Sequence, residues 1–87
     1  MNHFTSPRFW KCYHALPQKI QELADKNFRI LQKTPGHPSL RFRKIGIFRS
    51  ARVGIQYRAL AKERAEGLVW IWIGPHDEYE RILSGKA

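Results

Sequence analysis

A chain of 87 residues, 43% hydrophobic and 26% charged, is too apolar for disorder and lacks the repeats of a fibrous protein, so it reads as one small folded domain, residues 1–87. Sixteen Lys and Arg against seven Asp and Glu leave a net charge of +9, a self-repulsion that nucleic acid, an acidic protein or an anionic membrane surface would relieve. The single Cys12 excludes an internal disulfide and a four-ligand structural zinc site, and the longest apolar run, Leu68 to Ile73, is far short of the roughly twenty residues of a spanning helix.

In chain order, the first five residues can form a short strand. Ser6-Pro7 then starts a helix, with Ser capping free amides and Pro in the first turn, and Phe9, Tyr13 and Leu16 follow at helical spacing. Leu16-Pro17 breaks it. Pro17 opens a longer helix in which Ile20, Leu23, Ala24, Phe28 and Leu31 recur every three to four residues, ending near Lys33. Thr34-Pro35-Gly36-His37-Pro38 carries no helical signal, and after it the period drops to two.

From Ser39 the chain reads as strands, with Leu40 and Phe42 alternating with Arg41 and Arg43, a turn at Gly46, and an extended run from Ile47 to Val53. Gly54 marks a second turn before the run Tyr57 to Lys62. A polar connection from Glu63 to Gly67 leads to Leu68–Ile73, whose β-branched and aromatic residues predict a central strand covered on both faces. After Gly74-Pro75, residues 76–83 can form a short helix and residues 84–87 should fray. The expected fold is α+β: two N-terminal helices on one face of a small, mostly antiparallel sheet of four to five strands, with the other face free to work.

The charge is concentrated. Arg41, Arg43, Lys44, Arg49, Arg52, Arg58, Lys62 and Arg64 are opposed within their segment only by Glu63. Residues two apart on a strand share a face, so Arg41 and Arg43 point together, and Arg suits phosphate oxygens. Arg41, Arg43, Lys44 and Arg49 are therefore candidates for nucleic-acid binding, against the plainer reading of a solvated basic face. If Gly54-Ile55-Gln56 is a three-residue hairpin loop, Val53 pairs with Tyr57 and Arg52 lies opposite Arg58. Like charges facing each other destabilise a hairpin, so this register makes most sense if a phosphate sits between them.

Gly74-Pro75-His76-Asp77-Glu78-Tyr79 follows the most apolar strand, where a rigid element can aim loop side chains. Histidine is the side chain best suited to proton transfer near neutral pH, and Tyr79 would share a helical face with His76. Such a pair can offer a general acid or base and a stacking ring to RNA, whose 2′-hydroxyl attacks its own phosphate without a metal ion. The simpler alternative makes His76 a helix-start residue. His3, His14 and His37 have no partners at ligand spacing, so no metal site and no cofactor are expected. Trp70 and Trp72 are read as sharing a face, either stacking on bases or forming core.

The two helices, the breaker Thr34–Pro38, the hairpin Arg52-Val53-Gly54-Ile55-Gln56-Tyr57-Arg58-Ala59-Leu60 and the closing Ile73-Gly74-Pro75-His76-Asp77-Glu78-Tyr79 together resemble the RelE/ParE superfamily of bacterial type II toxins. The resemblance spans nearly the whole chain. It implies a toxin neutralised by a cognate antitoxin, and in RelE-type members a ribosome-dependent endoribonuclease that cuts mRNA. On that pattern the catalytic residues are Arg52, Arg58, His76 and Tyr79, with Tyr79 in stacking or proton transfer. The chain departs from the family in having no acidic general base in its central strands. Two other readings stand beside this one: a non-enzymatic ParE-type inhibitor of DNA gyrase, and a nucleic-acid-binding module without turnover. The N-terminus has no basic start followed by an apolar stretch, so a cytoplasmic protein without a secretory signal is expected.

Overall fold

In the computed structural model, which describes residues 2–85, the chain opens with the strand β1 (His3–Thr5) and enters the helix α1 (Pro7–His14) at the predicted place. The Ser6 hydroxyl accepts a hydrogen bond from the Phe9 N–H at 3.1 Å, and Pro7 occupies the first turn, where no donor is needed. The Gln21 side-chain amide then donates to the carbonyls of Tyr13 and Leu16, at 3.1 and 3.2 Å, so the break before the helix α2 (Gln18–Lys33) leaves few polar groups unanswered. Ile20, Leu23, Ala24 and Leu31 of α2 pack towards the sheet, as their spacing predicts, but Phe28 is 39% exposed and Ile30 packs against the core in its stead.

The remaining strands are β2 (Arg43–Ile45), β3 (Phe48–Val53), β4 (Tyr57–Arg64) and β5 (Gly67–Pro75), followed by the helix α3 (His76–Leu83). The sheet order is β1-β5-β4-β3-β2, with β1 parallel to β5 and every other pair antiparallel. This is the expected α+β architecture. One face carries Ala51, Val53, Ala59, Ala61, Trp70 and Ile73 beneath Leu16, Leu31 and Leu40. A smaller second core on the opposite face joins Leu60, Trp72 and Tyr79.

Four expectations need correction. The stretch from Ser39 to Phe42 is not strand: Pro38–Leu40 form a 3-10 turn, Arg41 takes a left-handed backbone (φ 42°), and β2 begins only at Arg43. The cause is local, because Pro38 has the φ that starts a helical turn, the His37 ring accepts from the Ser39 N–H at 3.2 Å, and Leu40, 1% exposed, is driven into the core. The polar connection shrinks to Ala65-Glu66, since Glu63 and Arg64 pair with Leu68 and Gly67. The second face is only partly free, because α3 folds over it through Tyr79.

Trp70 and Trp72 do not share a face. Ala61 pairs with Trp70 and Leu60 with Trp72, so Ile71 is an extra residue, a bulge that turns one indole into each core. Both rings are buried, which settles them as core. Gly74 belongs to the same arrangement, since a Cβ there would lie 2.6 Å from the Trp72 ring.

Trp70 ties β1 to the main core by donating its indole N–H to Nδ1 of His3 at 3.1 Å, which requires that nitrogen to be unprotonated. Burial accordingly lowers the His3 pKa from the ordinary histidine value. The unfolded chain then binds the His3 proton more readily than the folded one, so this contribution to stability is complete above the unfolded value of about 6.5 and declines as pH falls through it. Thermal melts between about pH 7.5 and pH 5 should show a smaller acid-induced loss for His3→Gln, which keeps an acceptor but cannot titrate, than for the parent. Equal losses in the two proteins would remove His3 from the acid response.

Candidate active site

The site is built on the β3–β4 hairpin. Gly54, at φ +66°, supplies the backbone that the three-residue loop needs, so Val53 pairs with Tyr57 and Arg52 stands opposite Arg58 in the predicted register. Both side chains lie on the face that α3 covers. The like charges are anchored by the loop itself: Arg52 Nε donates to the Gly54 carbonyl at 3.0 Å, and Arg58 Nη1 donates to the carbonyls of Tyr57 and Ile55 at 2.7 and 3.1 Å. From the opposite side of the sheet the Asn27 amide donates to the Arg52 carbonyl at 3.1 Å, so α2 holds the same strand.

Two further guanidiniums arrive from the preceding segment. Arg43 lies opposite Ser50 on β2, and the left-handed turn at Arg41 delivers a side chain that a continuous strand would have placed by alternation. With Arg52 and Arg58 they line a pocket of about 230 Å³. Burial, and then the charges of Arg52, Arg41 and Arg43, pull the Arg58 pKa below the ordinary guanidinium value, while Tyr79 opposes the shift. Arginine stays charged throughout, and a bound anion would offset both the burial of Arg58 and the positive charges beside it.

α3 closes the pocket. The His76 N–H donates to the Gln56 carbonyl at 2.7 Å, joining the start of α3 to the hairpin loop between Arg52 and Arg58. The His76 ring is 42% exposed, and its Nε2 lies 3.1 Å from a carboxylate oxygen of Glu80. Tyr79 is only 3% exposed: its ring packs with Leu60 and Trp72 and lies under the Arg58 guanidinium, 5.9 Å from its carbon, while its hydroxyl is 3.0 Å from that of Ser50. A ring so buried is not available to stack on a base. What Tyr79 presents is a hydroxyl at the pocket.

The structure thus brings together Arg41, Arg43, Arg52, Arg58, His76 and Tyr79, and separates Lys44 and Arg49 from them. Those two face each other across β2 and β3, on the side away from the pocket. The charge of Arg49 is taken up by Glu63, which it hydrogen-bonds, and by the Phe42 ring 5.7 Å away. Ser50 and Glu80 are pocket residues that the sequence reading missed. Glu80 could have been found, because it follows His76 by four residues on a predicted helix. Among the described residues, no three His, Cys, Asp or Glu side chains come together as metal ligands, and no helix is long and apolar enough to cross a membrane.

Sulfate, compared with chloride at equal ionic strength, should raise the melting temperature by occupying this pocket, with a stabilisation of about 2.7 kcal/mol when sulfate exceeds its Kd a hundredfold. Arg43 is exposed and has no ion-pair partner among the described residues, so Arg43→Gln should leave the sulfate-free melting temperature unchanged or higher. It should also shrink the sulfate response. A response that survives the substitution intact would place the anion elsewhere.

No protein-family model matches the chain, and no curated protein sequence matches it. Among solved structures it is similar to a chain of the RelB–RelE antitoxin–toxin complex of Methanococcus jannaschii, with TM-score 0.70 and 14% identity over 91% of this chain and 96% of that one. It is similar to YafQ of E. coli, with TM-score 0.72 and 13% identity over 90% and 96% of the two chains. A third similarity is to the toxin–antitoxin complex RelBE2 of Mycobacterium tuberculosis, with TM-score 0.63 and 20% identity over 85% and 95%. The three likenesses cover between 85% and 91% of this chain and nearly all of each neighbour, and the fold of this chain is the fold of those RelE and YafQ structures.

Proposed function

We propose that this chain is the toxin of a type II toxin–antitoxin pair and that its pocket cleaves mRNA on the ribosome without a metal ion. The observation that carries this reading is the convergence of Arg52, Arg58 and His76 on one pocket, from a hairpin and a helix tied together at Gln56 and His76. Arg52 and Arg58 hold the scissile phosphate, and with Arg41 and Arg43 they answer the negative charge that grows on its oxygens in the transition state. The 2′-oxygen bonds to phosphorus as its proton passes to solvent, the bond from phosphorus to the 5′-oxygen breaks, and His76 protonates that leaving oxygen. The Tyr79 hydroxyl, shared with Ser50, donates to a phosphate oxygen.

The partner that fits this chemistry is a cognate antitoxin with an acidic or amphipathic segment laid over the four guanidiniums, and the neighbours from Methanococcus jannaschii and Mycobacterium tuberculosis were themselves solved as toxin–antitoxin complexes. Its complex should tighten as salt falls and weaken on Arg41→Glu and Arg43→Glu together, read by titration calorimetry. An affinity indifferent to both would move the interface off the pocket.

Cleavage of ribosome-bound mRNA should persist in excess chelator, with ribosome integrity checked separately, and leave 2′,3′-cyclic or 3′-phosphate ends. His76→Ala should reduce cleavage by roughly 10²- to 10⁴-fold with little change in RNA affinity, because it removes the proton donor and leaves the guanidinium field. Arg52→Ala and Arg58→Ala should weaken both binding and cleavage. Products ending in 3′-hydroxyl would refute the mechanism, and growth arrest with DNA damage but intact RNA would replace it with gyrase inhibition.

A further inference from the structure

Glu80 stands alone as a carboxylate in a pocket otherwise lined by cations and hydroxyls. Arg41 faces it from the left-handed turn, Arg43 from β2, Arg52 from β3 and Arg58 from β4, while Ser50 and Tyr79 bring no charge at neutral pH. On α3 itself the other charges are Asp77 and Glu78 in the first turn and Arg81 in the last. A proton on His76 would add a fifth positive charge to four guanidiniums. Only the protonated ring has a proton to give to a leaving oxygen, and a carboxylate beside it offsets that added charge.

The geometry supplies the answer one helical turn away, where a Glu80 oxygen lies 3.1 Å from His76 Nε2. We propose that Glu80 is a positioning residue that orients His76 through this ion-pair contact and provides the negative charge that lets His76 keep its proton beside Arg52 and Arg58, so that Glu80 sets the pH range of cleavage. The proposal rests on reading the pocket as a ribonuclease site. It has a second consequence of opposite sign, because a carboxylate at the pocket rim also repels the substrate phosphate. Glu80 is 61% exposed, so the pair adds little to folding stability and its influence is local.

Glu80→Gln keeps a hydrogen-bond acceptor and removes the charge. At neutral pH its cleavage of ribosome-bound mRNA should be roughly two to five times slower than the parent's, with the difference closing as pH is lowered, because the alkaline limb of the pH–rate profile moves down by roughly half a unit, as much as an ion pair this exposed supplies. Binding of an RNA carrying a 2′-deoxy sugar at the scissile position should be equal or tighter. Imidazole resonances followed by NMR, with His76 assigned through His76→Gln, should titrate at lower pH in Glu80→Gln than in the parent. A rate reduced equally at every pH, weaker binding of the deoxy probe, or an unmoved His76 titration would each overturn the proposal. If the parent itself cleaves no RNA, the nuclease reading falls, and with it the proton-delivery role of Glu80. The NMR titration, which needs no cleavage, reports separately whether the ion pair governs His76.

Discussion

Much of this structure depends on the pairing of Arg52 with Arg58 across a three-residue turn. Two guanidiniums in adjacent register repel each other, and a hairpin with no other supports would lose stability for it. Here the turn carbonyls of Gly54, Ile55 and Tyr57 accept from the two side chains, Asn27 holds the strand from α2, and the first amide of α3 closes on Gln56. The repulsion is thus spread over a hairpin, a long helix and a short one. Burial, and after it the charge of Arg52, still lowers the Arg58 pKa, and an anion is the species that would answer both.

The register of that hairpin was legible because it depends on one residue type. Gly54 specifies the loop, the loop specifies the pairing, and the pairing puts both arginines on one face. The helix start at Ser6-Pro7 and the break at Leu16-Pro17 were legible for the same reason, each being a local preference that tertiary packing does not oppose. Leu40 to Phe42 were misread because alternation alone cannot tell a strand from a turn whose one apolar residue is pulled into the core. The bulge at Ile71 was invisible for a related reason: an unbroken run of apolar residues carries no mark of where its phase slips.

The candidate site shows the same division. Net charge picked out the segment that supplies the four guanidiniums of the pocket, but charge density along a chain says nothing about sides of a sheet. Arg49 and Lys44 count towards the basic total and lie away from the pocket, where Glu63 and Phe42 absorb Arg49. Arg41 lines the pocket by way of a left-handed turn, so the strand alternation that paired it with Arg43 does not hold. Glu80 leaves no mark in the strand pattern, because the carboxylate that meets His76 is on its own helix.

The second core explains why a chain of 87 residues keeps a helix on the face that carries the pocket. Leu60, Trp72 and Tyr79 bury α3 against β4 and β5, and the bulge at Ile71 is what turns the Trp72 indole to that side. Without this packing, α3 would rest on the His76–Gln56 and Tyr79–Ser50 hydrogen bonds, and an eight-residue helix is marginal on its own. Tyr79 therefore has two duties that pull on one side chain: its ring is a structural element of the second core, while its hydroxyl lies beside Ser50 at the pocket. Removing the whole side chain would disturb the placement of His76 and Glu80 together with any chemistry of the phenol, so only the change to Phe, which spares the ring, separates the two. The apolar residues of β5 and the polar start of α3 are in this sense one device, in which burial on one side of Tyr79 fixes the distance between His76 and the arginines on the other.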